Sequence, residues 1–420
     1  MERKKRVVSR DGDVPPTMAM GPGRPRLFIA VVGVVWVALA LVEGVHLFEP
    51  FTYPYPPGRR PLGRPSPYRR SVHRRNTGDS GGDLTRLLGF RLGTGLFAEP
   101  RGDVEVWTDR RGYRNEPRLA DTFCPVMITG DSFMDQGLTN ADTPAGQLSQ
   151  ALGVPVYDHT HMARGPTTGV FAFLGDAEFR RKPPKVLVWG FVERSMHARR
   201  FPPYRPHRPR KRSTLAGALA DAWQGLRLPA TDRRSYRAFW RAYRDKWSML
   251  RAFAVAIRAE SVYRLEGRLL TDKVLIGRRP DGRFALFLRE SVATLSRTAR
   301  QRKLPEAADR IATVGAECTR RGIRLVVLLI PDKAHVYPHW LAPGDRPAIP
   351  TPDAPSALAA LLEQRGVHAV NLLPAFLAHN AADQPPLYYP DDTHWSERGI
   401  TLAMHALAKS LRERGVRVGE

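Results

Sequence analysis

Apolar residues concentrate along the chain in five short runs: VMIT (126–129), VPVYD (154–158), KVLVWGF (185–191), IRLVVLLI (323–330) and VHAVNL (367–372). Continuous stretches within them such as LVVLLI suit strands of a parallel sheet buried on both faces, where no polar alternation is needed. Between them, residues 144–152, 168–180, 305–321, 355–365 and 397–414 carry apolar positions at helical spacing. Strand and helix alternating in this way predict an α/β fold, a three-layer α/β/α sandwich with a central parallel sheet, formed by residues 85–198 and 271–420.

Three stretches depart from that rhythm. Residues 27–48, LFIAVVGVVWVALALVEGVHLF, form an apolar run long enough to cross the roughly 30 Å hydrocarbon layer of a bilayer. A buried core helix fits poorly between Pro-rich flanks. A cleaved signal peptide would use Ala38 and Ala40, but the apolar run continues past them. The expectation is an uncleaved transmembrane anchor. Basic residues are nearly balanced across it, but Arg24 and Arg26 lie closest, which puts residues 1–26 in the cytoplasm and the body on the periplasmic or exterior side. Residues 49–84, rich in Pro, Gly, Ser and Arg, read as an exposed linker. The segment 199–270 opens on RRFPPYRPHRPRKR and continues as a basic helical insertion. In it Trp240, Tyr243, Trp247, Leu250 and Phe253 or Ala254 recur every three or four residues, as on one apolar face.

Charge and cysteines narrow the field. The formal charge is +25, from 66 Lys and Arg against 41 Asp and Glu. It is spread along the chain without a zinc-finger or RNA-binding signature, which argues against a nucleic-acid partner. It leaves an acidic polymer or an anionic membrane surface as suitable partners. Cys124 and Cys318 lack metal-ligand spacing and read as small buried residues, and no metal or cofactor is assigned.

The candidate chemistry lies at two ends of the body. The strand VMIT runs into GDSFMDQG (130–137), which puts Ser132 just past the C-terminal end of a strand, where α/β folds place their sites. A helix following it would aim free N–H groups at an oxyanion. A serine hydroxyl needs a base, and His394 in YYPDDTHWSERG (388–399) can supply one if a carboxylate orients it. Glu193 and Arg194, at a strand end, are either site residues or an ion pair beneath the site, and Lys333 in IPDKAHVYP stands in the same position.

GDSF early in the chain and D-x-H or D-x-x-H late in it resemble the SGNH (GDSL-type) hydrolase superfamily. DTHW, with VLVWGFVERSM (186–196) and LLIPDKAHVYP (328–338), is similar to its alginate O-acetyltransferase (AlgX/AlgJ-type) branch. The resemblance implies Ser132 as nucleophile, His394 as base and Asp392 as its orienting acid. D-x-x-H counting selects Asp391 instead; Trp395, which accompanies D-x-H in the acetyltransferases, favours Asp392 and leaves Asp391 in reserve. Gly165 in ARGPTT would provide an oxyanion donor beside the Ser132 N–H. Two departures stand out: Gly190-Phe-Val-Glu193-Arg194 occupies the place of the usual G-x-N-D, and the serine precedes the histidine motif.

The resemblance implies a membrane-anchored enzyme that moves acetyl groups onto hydroxyls of an extracytoplasmic polysaccharide. Its partners would be the polysaccharide acceptor and a multispanning membrane acyltransferase that delivers the acetyl group. A carbohydrate esterase or lipase using the same triad, or a non-catalytic polysaccharide-binding scaffold of an export complex, are the alternatives.

Overall fold

A computed structural model describes residues 30, 32–38, 40–41, 71, 73–80, 82–89, 97, 99–160, 165–205, 249–381 and 383–416. Two units separate, residues 1–49 and 50–420. In the first, the described residues 30, 32–38 and 40–41 are helical. The rest of the predicted span 27–48 lies outside the described residues, and among these no helix is long and apolar enough to cross a membrane.

The second unit is built on five parallel strands, β3 (Val126–Gly130), β4 (Val156–Asp158), β5 (Val186–Val192), β8 (Arg324–Ile330) and β9 (His368–Asn371), in the order β4-β3-β5-β8-β9. All five predicted strands are present. Their continuous apolar character is explained by what covers each face. Val126 and Ile128, Val186 and Val188, and Val326, Leu328 and Ile330 point to one side. There they meet α2 (Pro144–Leu152) and α6 (Glu397–Glu413). Met127, Leu187, Trp189, Val327 and Leu329 point to the other, against α3 (Thr167–Gly175), α4 (Leu304–Arg320) and α5 (Ala354–Glu363). Both alternate sets are buried, so no polar period appears.

Helix ends follow side-chain chemistry. Thr143, Asp353 and Ser396 each accept a hydrogen bond from a first-turn N–H of α2, α5 and α6. The predicted helix 168–180 divides at Asp176, whose carboxylate caps a separate short helix, Ala177–Arg181.

The strand order places the change of winding direction between β3 and β5, at whose C-terminal ends α/β folds place their sites. The two strands approach closely at that end because Gly130 and Gly190 are paired across them. A Cβ on Gly130 would sit 1.9 Å from the Gly190 carbonyl oxygen, and one on Gly190 would sit 2.2 Å from Met134 Sδ.

The linker expected through residue 84 ends earlier. His73–Ser80 (β1) pairs antiparallel with Pro100–Trp107 (β2), and Asp83–Leu87 forms a short helix, α1. Backbone pairing on an exposed ribbon needs no apolar period, so these strands carry none. A second hairpin, β6 (Val274–Arg278) with β7 (Phe284–Leu288), lies within the body. Of the basic insertion, residues 206–248, including Trp240, Tyr243 and Trp247, lie outside the described residues. Its last part is a helix, Met249–Glu266. The face of that helix expected to be buried is not the one used: Phe253 and Ala254 are exposed. Ala259 is buried instead, with Leu84, Leu88, Phe97, Val274 and Leu286.

Cys124 and Cys318 are both free and buried, and burial pushes their thiols up to about 11 and about 12.

Candidate active site

Ser132 sits directly after β3, on a tight turn. Asp131 shapes it: one carboxylate oxygen accepts from the Phe133 N–H (3.1 Å) and the other from the Val192 N–H (2.9 Å), which ties the turn to the end of β5. The segment that follows is a four-residue 3-10 turn, Ser132–Asp135, and α2 begins only at Pro144. The expected helix dipole behind the serine is therefore missing, because the next eight residues pack as irregular chain. What remains is the Ser132 N–H itself, for which no acceptor occurs among the described residues.

Ser132 Oγ lies 2.8 Å from His394 Nε2, and His394 Nδ1 lies 2.7 Å from Asp392 Oδ1. Between the two predicted aspartates the geometry is unambiguous. Asp391 turns away from the histidine; its Oδ2 accepts from the N–H groups of Gly82 (2.8 Å) and Glu99 (3.1 Å), and its Oδ1 accepts from Arg101 (3.2 Å). The other oxygen of Asp392, Oδ2, accepts from Arg101 (2.7 Å) and from the Asp83 N–H (3.2 Å).

Electrostatics follow from this packing. Burial would raise the Asp392 carboxyl, but the charge and hydrogen bond of His394, with help from Arg101, hold it well below the usual carboxylate range. Burial lowers the His394 imidazolium, and Asp392 more than reverses that, so the group stands above its ordinary value. Chemically, the arrangement can pass a proton from Ser132 to His394 and balance the resulting imidazolium against the Asp392 charge.

Trp395 explains its place in the motif. It is fully buried and its Nε1 donates to the Phe133 carbonyl (3.0 Å), while the Phe133 ring packs on His394 with centroids 4.8 Å apart. The indole thus links the histidine loop to the serine turn.

The remaining candidates divide. Arg194 lies beside the site, its guanidinium 5.2 Å over the Phe133 ring, donating to Asp332 (3.0 Å) and to Thr393 Oγ1 (3.3 Å). Glu193 is 1 % exposed and bonded to His335 (2.8 Å) and to the Asp332 N–H (3.2 Å), which makes it part of a buried support. Lys333 likewise does not face an open site. Its ammonium donates to the carbonyls of Leu286, Tyr389, Pro390 and Asp392 (2.7–3.2 Å) and clamps the DDTHW loop from beneath, while burial pulls its pKa down to about 7. Both residues are buried just past the ends of β5 and β8, a position that sequence alone does not distinguish from the mouth. Gly165, with a left-handed φ of +77°, opens the turn ahead of α3; among the described residues no hydrogen bond joins it to Ser132.

Asp83 and Arg101 carried no signal in the sequence, since Asp83 opens the short helix α1 and Arg101 lies in β2, and each reaches the site only through tertiary contact. Asp83, Asp392 and His394 bring ligand atoms within 4.8 Å of one another. Because Nδ1 of the histidine is engaged by Asp392, this trio is better suited to relaying hydrogen bonds than to holding an ion.

Behind the serine turn lies a buried acid pair, Asp135 at its end and Asp158 at the end of β4. Burial and mutual repulsion raise Asp135 well above the carboxylate range, and burial raises Asp158 to about 7. A raised folded-state value means that the protonated pair stabilises the fold below about pH 4 and loses that contribution as pH climbs through 7. Thermal stability should therefore fall between pH 5 and 8, and Asp158→Asn should flatten the slope. Melting curves across that range check it.

Comparison with known proteins shows the family of the fold. A family model described as "SGNH hydrolase-like domain, acetyltransferase AlgX" matches residues 66–193 and 286–419. The chain is 35% identical over 120 residues to a "Probable alginate O-acetylase AlgJ" of Azotobacter vinelandii, covering 27% of this chain and 29% of that protein. A protein of the same description from Pseudomonas fluorescens is 33% identical over 98 residues, covering 23% and 21%. The matched region thus spans less than a third of these curated relatives. No solved structure gives a significant match.

Proposed function

We propose, from the premise that this chain belongs to the SGNH hydrolase-like family of AlgX-type acetyltransferase domains, that it transfers acetyl groups to the hydroxyls of a polysaccharide through an acyl-enzyme on Ser132. The observation that carries this reading is the continuous Ser132–His394–Asp392 chain, with links of 2.8 and 2.7 Å.

In the first half-reaction His394 Nε2 takes the Ser132 proton as Oγ bonds to the acetyl carbon. The imidazolium then returns the proton to the departing oxygen of the donor as its bond to the acetyl carbon breaks. In the second, His394 takes a proton from an acceptor hydroxyl, whose oxygen forms the new ester, and Ser132 regains its proton as the acyl–Oγ bond breaks. Asp392 keeps the imidazole in the tautomer this requires. The Ser132 N–H is a donor toward the developing oxyanion, and Arg194, with its charge fixed next to Phe133 and His394, adds positive potential where the usual asparagine is missing.

The acceptor is a polysaccharide, by analogy with the names of the alginate O-acetylases, and the body meets it outside the cytoplasm. Segment 27–48 is the single-pass anchor that holds the body at the outer face of the cytoplasmic membrane, and a multispanning membrane acyltransferase supplies the acetyl group. Water in place of the sugar hydroxyl would make the protein an esterase. The deciding assay presents a chromogenic acetyl ester with and without alginate-type oligosaccharides. Acetylated oligosaccharide with loss of the ester is the expected outcome; acetate alone at every acceptor concentration would overturn transfer in favour of hydrolysis.

A further inference from the structure

The segment ahead of the α/β body reaches the triad. Gly82 and Asp83 form a turn locked onto the two aspartates: the Gly82 N–H donates to Asp391 (2.8 Å) and the Asp83 N–H to Asp392 (3.2 Å). A side chain at position 82 would place its Cβ 2.2 Å from the Asp391 carbonyl oxygen, so the approach depends on glycine. Behind the turn, Leu84 and Leu88 are buried with Ala259, Val274 and Leu286 in a small apolar cluster, separate from the two that flank the sheet.

This anchoring directs the Asp83 carboxylate at the residue between the catalytic acid and base. Oδ1 accepts from the Thr393 N–H (2.8 Å) and Oδ2 from Thr393 Oγ1 (2.6 Å), and Oδ2 stands 3.9 Å from His394 Nδ1. The side chain keeps 39 % of its surface exposed, unlike Asp392 at 5 %. A second carboxylate this close to a histidine favours the imidazolium, the charge that appears in each half-reaction.

We propose that Asp83 is a positioning residue of the reaction centre, fixing the Asp392-Thr393-His394 loop through Thr393 and stabilising the imidazolium alongside Asp392. The inference rests on the acyl-enzyme reading above. Burial and the neighbouring Asp392 charge raise the Asp83 carboxyl to about 6, and His394 pulls in the opposite direction. The charged groups facing it are Asp392 and His394 on the loop, Arg101 from β2, Arg194 past β5 and Lys333 past β8. Near neutral pH Asp83 is therefore ionised, and its charge lifts the pH at which His394 becomes a free base.

The test is the pH profile of kcat/KM on a soluble acetyl ester. Asp83→Asn keeps the shape and removes the charge. It should move the acid limb down by about one pH unit and lower the plateau kcat by about tenfold, the loss equivalent to one unit of imidazolium stabilisation, with KM unchanged. Asp83→Glu keeps the charge on a longer arm and should retain the wild-type limb. A role confined to holding the fold would lower the melting temperature and leave the limb in place. An unmoved limb in Asp83→Asn, or equal shifts in both variants, overturns the inference. The underlying reading fails separately, if Ser132→Ala remains active.

Discussion

Ser132→Ala should remove acetyl-ester turnover and glycan acetylation together, by about 10⁴- to 10⁶-fold, while leaving the fold intact. The magnitude follows from the covalent step: without Oγ no acyl-enzyme forms, and His394 is left beside a methyl group with nothing to activate. Among the described residues the hydroxyl makes one side-chain hydrogen bond, to His394, so its loss leaves little buried polar surface unsatisfied there. Mass spectrometry of wild-type protein quenched during turnover should find an acetyl group on the peptide containing Ser132, and the variant should show none. A variant that still acetylates the glycan would mean that another group carries the acyl chain, and the assignment of the nucleophile would be wrong.

The second large effect separates the paired aspartates. Asp392→Asn should cost about 10⁴-fold in kcat, because an amide either donates toward Nδ1 or turns its oxygen there without the charge that stabilises the imidazolium. Asp391→Asn should spare most of the activity and lower stability by about 2 kcal/mol, since a buried carboxylate that accepts two backbone N–H groups and a guanidinium is being neutralised. Kinetics and melting temperatures on the two variants should therefore move in opposite proportions. If Asp391→Asn lost the greater activity, the histidine would be served by the other carboxylate and the D-x-H assignment would fail.

These contrasts also show which parts of the molecule sequence could reveal. The sheet was legible because both of its faces are covered, so β5 and β8 appear as unbroken apolar runs whatever the topology. The serine and histidine were legible because their motifs are local: Gly130 must be glycine to approach Gly190, and Trp395 must follow His394 to reach Phe133. The β1–β2 ribbon was not legible, because its strands pair through backbone groups and cover no core along most of their length. Asp83 and Arg101 were hidden as well, being ordinary charged residues until α1 and β2 lay them against Asp392. Glu193 and Lys333 were legible at their strand ends, but whether they line the site or support it from beneath was left open, a difference of burial that no spacing encodes.

Ser132 and His394 are 262 positions apart, and Asp83 comes from a third region of the chain. Trp395 closes the serine turn only when the segment carrying α6 has docked. A chain still being synthesised therefore holds Ser132 without His394. The pair comes together only late in folding, and on the proposed reading the same long-range closure that makes the site hard to read in sequence keeps Ser132 without its base until then.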